Sequence, residues 1–128
     1  MRFLKPSKYH NKKTEVGGVK FDSKLEAYCH SRFKQLNIKF DFQVWIELIP
    51  KFSYNNEKIR ASRMRIDFIV YSKNKTIYCD TKGIATTEAK LKFKMLKNKI
   101  KDEENTEVLW FKNQKEVNQF LIENYEEN

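Results

Sequence analysis

Arg63-Met64-Arg65-Ile66-Asp67-Phe68-Ile69-Val70-Tyr71, the polar turn Ser72-Lys73-Asn74-Lys75, and Thr76-Ile77-Tyr78-Cys79-Asp80-Thr81-Lys82 before Gly83 read as two strands joined by a tight hairpin. Whether the loop is Lys73-Asn74 or all four residues 72 to 75, the turn fixes the same register, with Asp67 opposite Asp80. Side chains alternate across a sheet, so Asp80 and Lys82 are expected on one face with Asp67, and Ile77, Cys79 and Thr81 on the other. Two opposed carboxylates destabilise a strand pair by a few tenths to about 1 kcal/mol, so something should offset them. A divalent cation is the natural candidate. Hard carboxylate oxygens suit Mg²⁺ or Mn²⁺, and the neighbouring Lys82 would position an attacking water or help to deprotonate it.

Working outward, Phe40 to Ile49 is rich in aromatic and β-branched residues, ends at Pro50 and reads as a preceding strand. Upstream, Thr14-Glu15-Val16 and Val19-Lys20-Phe21 flank Gly17-Gly18, the pattern of a small hairpin. Asp22 or Ser23 can cap a helix running to about Leu36, with Glu26 placed as in a capping box and Leu25, Cys29, Phe33 and Leu36 at helical spacing. Downstream, residues 88 to 101 return to helical period through Ala89, Phe93, Leu96 and Ile100. A strand over about Glu107 to Phe111 and a helix over about Lys115 to Tyr125 complete the order hairpin, α, β, β, β, α, β, α. That order predicts one α/β domain over 1 to 128: a basic arm (1 to 13), the hairpin (14 to 21), a core (22 to 112), then a C-terminal helix and acidic tail (113 to 128).

The 128 residues, 40% apolar and 34% charged, suffice for one core and argue against disorder. No apolar run is long enough for a membrane span, and the N-terminus lacks the apolar stretch of a signal peptide, so a cytoplasmic location is expected. Cys29 and Cys79 have neither disulfide-framework nor zinc-site spacing and read as core residues. Residues 102 to 128 carry two Lys against eight Asp/Glu, leaving residues 1 to 101 with a net charge of +15. Such a field attracts polyanions, nucleic acid first and anionic membrane second.

Glu26 borders the buried face of the first helix, where a carboxylate packs poorly, so it joins Asp67 and Asp80 as a third candidate acid. Taken singly, each residue has a plain structural reading: a capping partner for Glu26, a cross-strand ion pair for Asp67 and Lys82, an edge position for Asp80. A helix Glu, a strand Asp and Asp-x-Lys before Gly, in this order of elements, are much harder to obtain by accident.

At these residues the sequence resembles the PD-(D/E)XK nuclease superfamily, with Asp67 as the "D", Asp80-Thr81-Lys82 as "(D/E)XK" and Glu26 as the helix acid found in many members. Ile66 stands where the name-giving motif has Pro. Phe21-Asp22-Ser23-Lys24-Leu25-Glu26, Gln43, Ile66-Asp67-Phe68 and Asp80-Thr81-Lys82-Gly83 look like a family of small phage-encoded proteins of this superfamily, in part Holliday-junction-resolvase-like, and like the nuclease domain of some transposon end-cleaving proteins. The resemblance implies a restriction-endonuclease-like αβββαβ core, a mixed sheet flanked by helices, and Mg²⁺- or Mn²⁺-dependent hydrolysis of DNA in the cytoplasm, the host's if the protein is phage-encoded. It further implies that Asp67 and Asp80 hold metal, with the Thr81 carbonyl as an additional ligand. Lys82 would serve the nucleophilic water, and Glu26 would bind a second metal or orient the waters of the first. Gln43 is an accessory candidate on the first core strand.

For DNA contact, Lys90, Lys94, Lys97 and Lys101 form one stripe along the second helix, and Arg60, Arg63 and Arg65 approach the Asp67 strand along the chain. Paired cuts would favour a two-fold homodimer. The runner-up function is a basic nucleic-acid-binding or assembly protein that keeps the fold without hydrolysis, and charge alone does not separate DNA from RNA.

Overall fold

The computed structural model describes residues 14–125. The basic arm, His10 and the last tail residues lie outside the described residues. Two three-residue strands, β1 (Thr14–Val16) and β2 (Val19–Phe21), pair through a two-residue turn. Gly17 and Gly18 both take positive φ (60° and 82°), the backbone that a type I′ hairpin turn requires.

Helix α1 (Lys24–Gln35) starts where Ser23 Oγ accepts the Glu26 N–H at 3.0 Å. It ends at Leu36, and the chain leaves through Asn37 at φ 55°. The central sheet has the order β3 (Lys39–Ile49), β6 (Ser62–Ser72), β7 (Lys75–Thr81), β8 (Thr106–Phe111); the first two neighbour pairs are antiparallel and β7–β8 is parallel. Helix α2 (Thr87–Ile100), capped by Thr86, makes the crossover that a parallel pair needs, and α3 (Gln114–Asn124), capped by Asn113, follows β8. Among the described residues the architecture is mixed α/β with three helices, none of them long and apolar enough to cross a membrane.

The sheet carries a core on each face. Cys29 and Phe33 from α1 and Val117, Phe120 and Leu121 from α3 pack with Phe68, Val70, Ile77 and Cys79. On the other face Ala89, Phe93, Leu96 and Ile100 of α2 pack with Met64, Ile66 and Ile69. Both cysteines are free and buried, and His30 is ringed by Phe21, Phe40 and Phe42 at 4.9 to 5.4 Å between centroids.

The β6–β7 register is the expected one, running from Ser72↔Lys75 to Phe68↔Cys79 around the two-residue loop Lys73-Asn74. Two features depart from expectation. Residues 50 to 62, unassigned by sequence patterning, contain a further hairpin, β4 (Phe52–Tyr54) and β5 (Glu57–Ile59), turning on Asn55 and Asn56 at φ 47° and 66°. Asn tolerates this left-handed backbone better than most residues, so the Asn-Asn pair was the available signal.

The second departure is that strict alternation fails at one point. Phe42 and Phe68 pack toward α1 and α3, whereas Val44 and Ile66, two residues along each strand, pack toward α2. The β3–β6 ribbon therefore turns over between these pairs, at Gln43 and Asp67, and Gln43 has φ 54°.

Candidate active site

The turnover sets the site. Asp67 lies where the β6–β7 ladder ends, and its N–H is taken by a side chain, Asp80 Oδ1 at 3.0 Å. Its own carboxylate swings to Thr81, whose N–H (2.8 Å) and hydroxyl (2.7 Å) both donate to Asp67 Oδ2. This corrects the expected facing: Thr81 does not point away from Asp67 but holds it, because alternation cannot be extended through the turnover. The contacts shown for Thr81 are donations that fix Asp67.

Opposite stands Glu26, fully buried although charged when ionised. Its Oε1 accepts the Asp22 N–H at 2.6 Å, so it does complete a capping arrangement. Its Oε2 accepts nothing, and Asp80 Oδ2, also buried, likewise has no hydrogen-bond partner. Lys82 Nζ lies 3.6 Å from that Asp80 oxygen, an ion pair too long to be a hydrogen bond. Structural and catalytic readings of Glu26 are therefore compatible, since one carboxylate oxygen caps and the other is left over.

Desolvation, then the adjacent Asp67 carboxylate, push the Glu26 carboxyl up to about 8. Desolvation and Asp67 raise Asp80 to about 8 against the opposing pull of Lys82. Asp22, not singled out from the sequence beyond a capping role, joins the cluster: carboxylate oxygens of Asp22, Glu26 and Asp67 lie within 4.8 Å of one another. Asp22 is itself ion-paired with Arg65. Four carboxylates thus crowd two cations, Arg65 and Lys82, and the buried oxygens without donors fit a divalent cation ligated by oxygen.

Strand β8 fixes the backbone of Lys82 on both sides. Phe111 O accepts its N–H at 3.0 Å, and Trp110 Nε1–H donates to its carbonyl at 2.8 Å. Trp110 is held by stacking on Phe93, with centroids 5.0 Å apart. A lone Trp in a strand gave no sequence signal for this role. The Lys82 side chain rises between two clefts. One, of about 180 Å³, is lined by Asp22, Asp67, Thr81 and Gly83. The other, of about 240 Å³, is lined by Arg65, Asp80, Glu88 and Lys92.

The expected DNA contacts divide. Arg65 reaches the site, while Arg63 lies over the Trp45 ring at 5.5 Å and borders, with Arg60, a hollow farther out along the ribbon. The lysine stripe is not brought to the site: Lys90, Lys94, Lys97 and Lys101 are exposed, and none lines either cleft. With Ala89, Phe93, Leu96 and Ile100 buried, the flank of α2 that faces the clefts carries Glu88 and Lys92, paired at 3.0 Å, whereas Lys97 and Lys101 fall beside Glu103 and Glu107. Gln43 does not line the clefts. Its amide donates to Lys20 O at 3.3 Å and ties the ribbon to the β1–β2 hairpin.

A helix acid, two strand acids and a lysine meet where β6 and β7 end, and the oxygens of Asp22, Glu26 and Asp67 are spaced as a hard cation would need. As to kinship, residues 6–116 match the family described as "Protein of unknown function (DUF1064)", and the chain belongs to that family. No curated protein and no solved structure matched it.

Proposed function

We propose that the protein is a metal-dependent DNA endonuclease of the restriction-endonuclease-like kind. The run α1, β3, β6, β7, α2, β8 follows that superfamily's αβββαβ order. The observation that carries the reading is the convergence of Glu26, Asp67 and Asp80, with two buried carboxylate oxygens lacking donors, beside Lys82.

Asp67, Glu26 and Asp22 would hold Mg²⁺ or Mn²⁺, whereas Asp80, expected from the sequence as a ligand, falls outside that group: one of its oxygens accepts the Asp67 N–H and the other faces Lys82. The ion would supply Lewis-acid stabilisation of charge building on the phosphoryl oxygens. Thr81 keeps Asp67 oriented through two hydrogen bonds, and Arg65 keeps Asp22 in place. Lys82 orients the attacking water toward phosphorus; water oxygen bonds to phosphorus, one P–O ester bond breaks, and the proton that the water sheds ends on the leaving oxygen.

The test uses linear duplex, single-stranded, four-way-junction and RNA substrates, each with Mg²⁺, Mn²⁺ or EDTA. DNA cleavage only with metal is expected. Mn²⁺ should also raise the Tm of wild type and not of Asp67→Asn, since an ion bound only to the folded state stabilises it by mass action. An equal rise in the variant would remove the metal from this site. Absence of cleavage on all four substrates would leave the non-hydrolytic nucleic-acid-binding reading.

A further inference from the structure

Beyond position 43 the β3–β6 ribbon extends past the site as an arm, and its outer side has an unusual composition. Cross-strand partners share a face, so Trp45 lies beside Arg65 and Glu47 beside Arg63, while the other face, Val44, Ile46 and Met64, packs under α2. Trp45 is left 62% exposed, and at the end of the arm Tyr54 and Phe52, on one face of the β4–β5 hairpin, are 63% and 49% exposed. Scattered exposed apolar residues are ordinary, but three aromatic rings on one arm are not. Residues 50 to 63 add Lys51, Lys58, Arg60 and Arg63 against a single acid, Glu57.

We propose that this arm is a stacking platform for a single-stranded segment of the nucleic acid, with Trp45 taking an unpaired base and the arm's basic side chains following the phosphates. The inference deepens the proposed function, on which it rests for the position of the scissile phosphate, by naming the substrate class: DNA with unpaired bases next to the cut. Aromatic rings can stack only on base faces that a duplex keeps covered, and stacking is indifferent to sequence. The charge favours a polyanion over a second copy of this chain. Arg63 lies over the Trp45 ring, 5.5 Å from its centre, so a base on the open face would sit across the ring from a guanidinium. Arg65, opposite Trp45, is two residues from Asp67, about 7 Å along the strand. That is roughly the length of two stacked nucleotides.

The experiment measures binding in EDTA of labelled oligo-dT, and of a blunt duplex of the same length, to wild type, Trp45→Leu, Trp45→Phe and Tyr54→Ala. Wild type should prefer the single strand, and the binding should quench tryptophan fluorescence. Trp45→Leu should lose affinity for oligo-dT by about tenfold or more, with duplex binding little changed and the quench abolished. Trp45→Phe should recover most of the affinity, and Tyr54→Ala should lose part of it. All these residues are exposed, and unchanged melting curves would show that the variants fold.

Equal affinity of wild type and Trp45→Leu for oligo-dT would overturn the proposal. So would equal or tighter wild-type binding to duplex. Binding of the aromatic arm to anionic vesicles but not to DNA, or a dimer that Tyr54→Ala dissolves without effect on DNA, would assign the arm to a membrane or to self-association and overturn it as well. Mn²⁺-dependent cleavage is read separately. Cleavage by a protein whose arm variants bind normally sinks the platform and keeps the nuclease; selective single-strand binding without cleavage does the reverse.

Discussion

Lys82→Ala should abolish metal-dependent cleavage while leaving the fold, the metal response and most of the DNA affinity in place. The lysine sits 42% exposed, its backbone is held by Phe111 and Trp110, and its ammonium lies 3.6 Å from a buried Asp80 oxygen that has no other partner. Loss of one positioned catalytic group commonly costs a factor of about 10²–10⁴ in rate, or roughly 3–5 kcal/mol of barrier. If the lysine were there only to neutralise Asp80, its removal would leave the carboxylates with less compensation, so stability would drop and cleavage by the surviving folded protein would persist. Single-turnover cleavage and melting curves on the same samples separate the two, and retained activity with a lowered Tm would refute the catalytic assignment.

Without metal, the protein should lose stability as the pH rises from about 4 to about 8. Glu26 and Asp80 carry folded-state values near 8, above their ordinary values of 4.5 and 3.8. Between those limits the folded chain binds more protons than the unfolded one, so stability must fall with rising pH. The contribution is fully present below about pH 4 and is gone once pH has passed through about 8. Each unit of displacement corresponds to about 1.4 kcal/mol, and 1 kcal/mol moves the Tm of a domain this size by roughly 3–6 °C. A Tm lower by about 10 °C or more at pH 8.5 than at pH 5.5 in EDTA is expected.

His30 acts in the opposite sense at the acid end, because burial among aromatic rings lowers its value. The measured quantity is therefore the difference between wild type and Asp80→Asn, which should lose much of the slope. Saturating Mn²⁺ should flatten the wild-type curve, since the ion replaces the protons. A wild-type slope that survives both changes would mean that the carboxylates do not share a buried charge.

Much of this was legible in the chain. The Gly-Gly turn, the capping residues of α1 and the helical spacing of Ala89, Phe93, Leu96 and Ile100 each carry a local signal, and the elements they mark appear within a residue or two of expectation. The register of β6 and β7 followed from the turn alone. What the chain hid was non-local. Nothing near Gln43 announces a left-handed backbone, so alternation was extended through Asp67 and put Thr81 on the wrong side. Asp22 read as a cap because its proximity to Asp67 depends on how α1 packs on the sheet. Where the lysine stripe lies relative to the clefts was hidden for a related reason: helical spacing shows which residues share a flank, and only packing shows which flank meets the site.

The turnover at Gln43 also bears on how the molecule comes apart. One strand pair delivers Phe40, Phe42 and Phe68 to the core under α1 and α3, and a few residues later delivers Val44, Ile46 and Ile66 to the core under α2. Neither core owns its own strands. A fluctuation that peels β3 from β6 must open both at once, so the two layers share a single cooperative unit instead of melting as separate foldons. The carboxylate cluster sits at the hinge of that shared ribbon, where neither half can relax without the other.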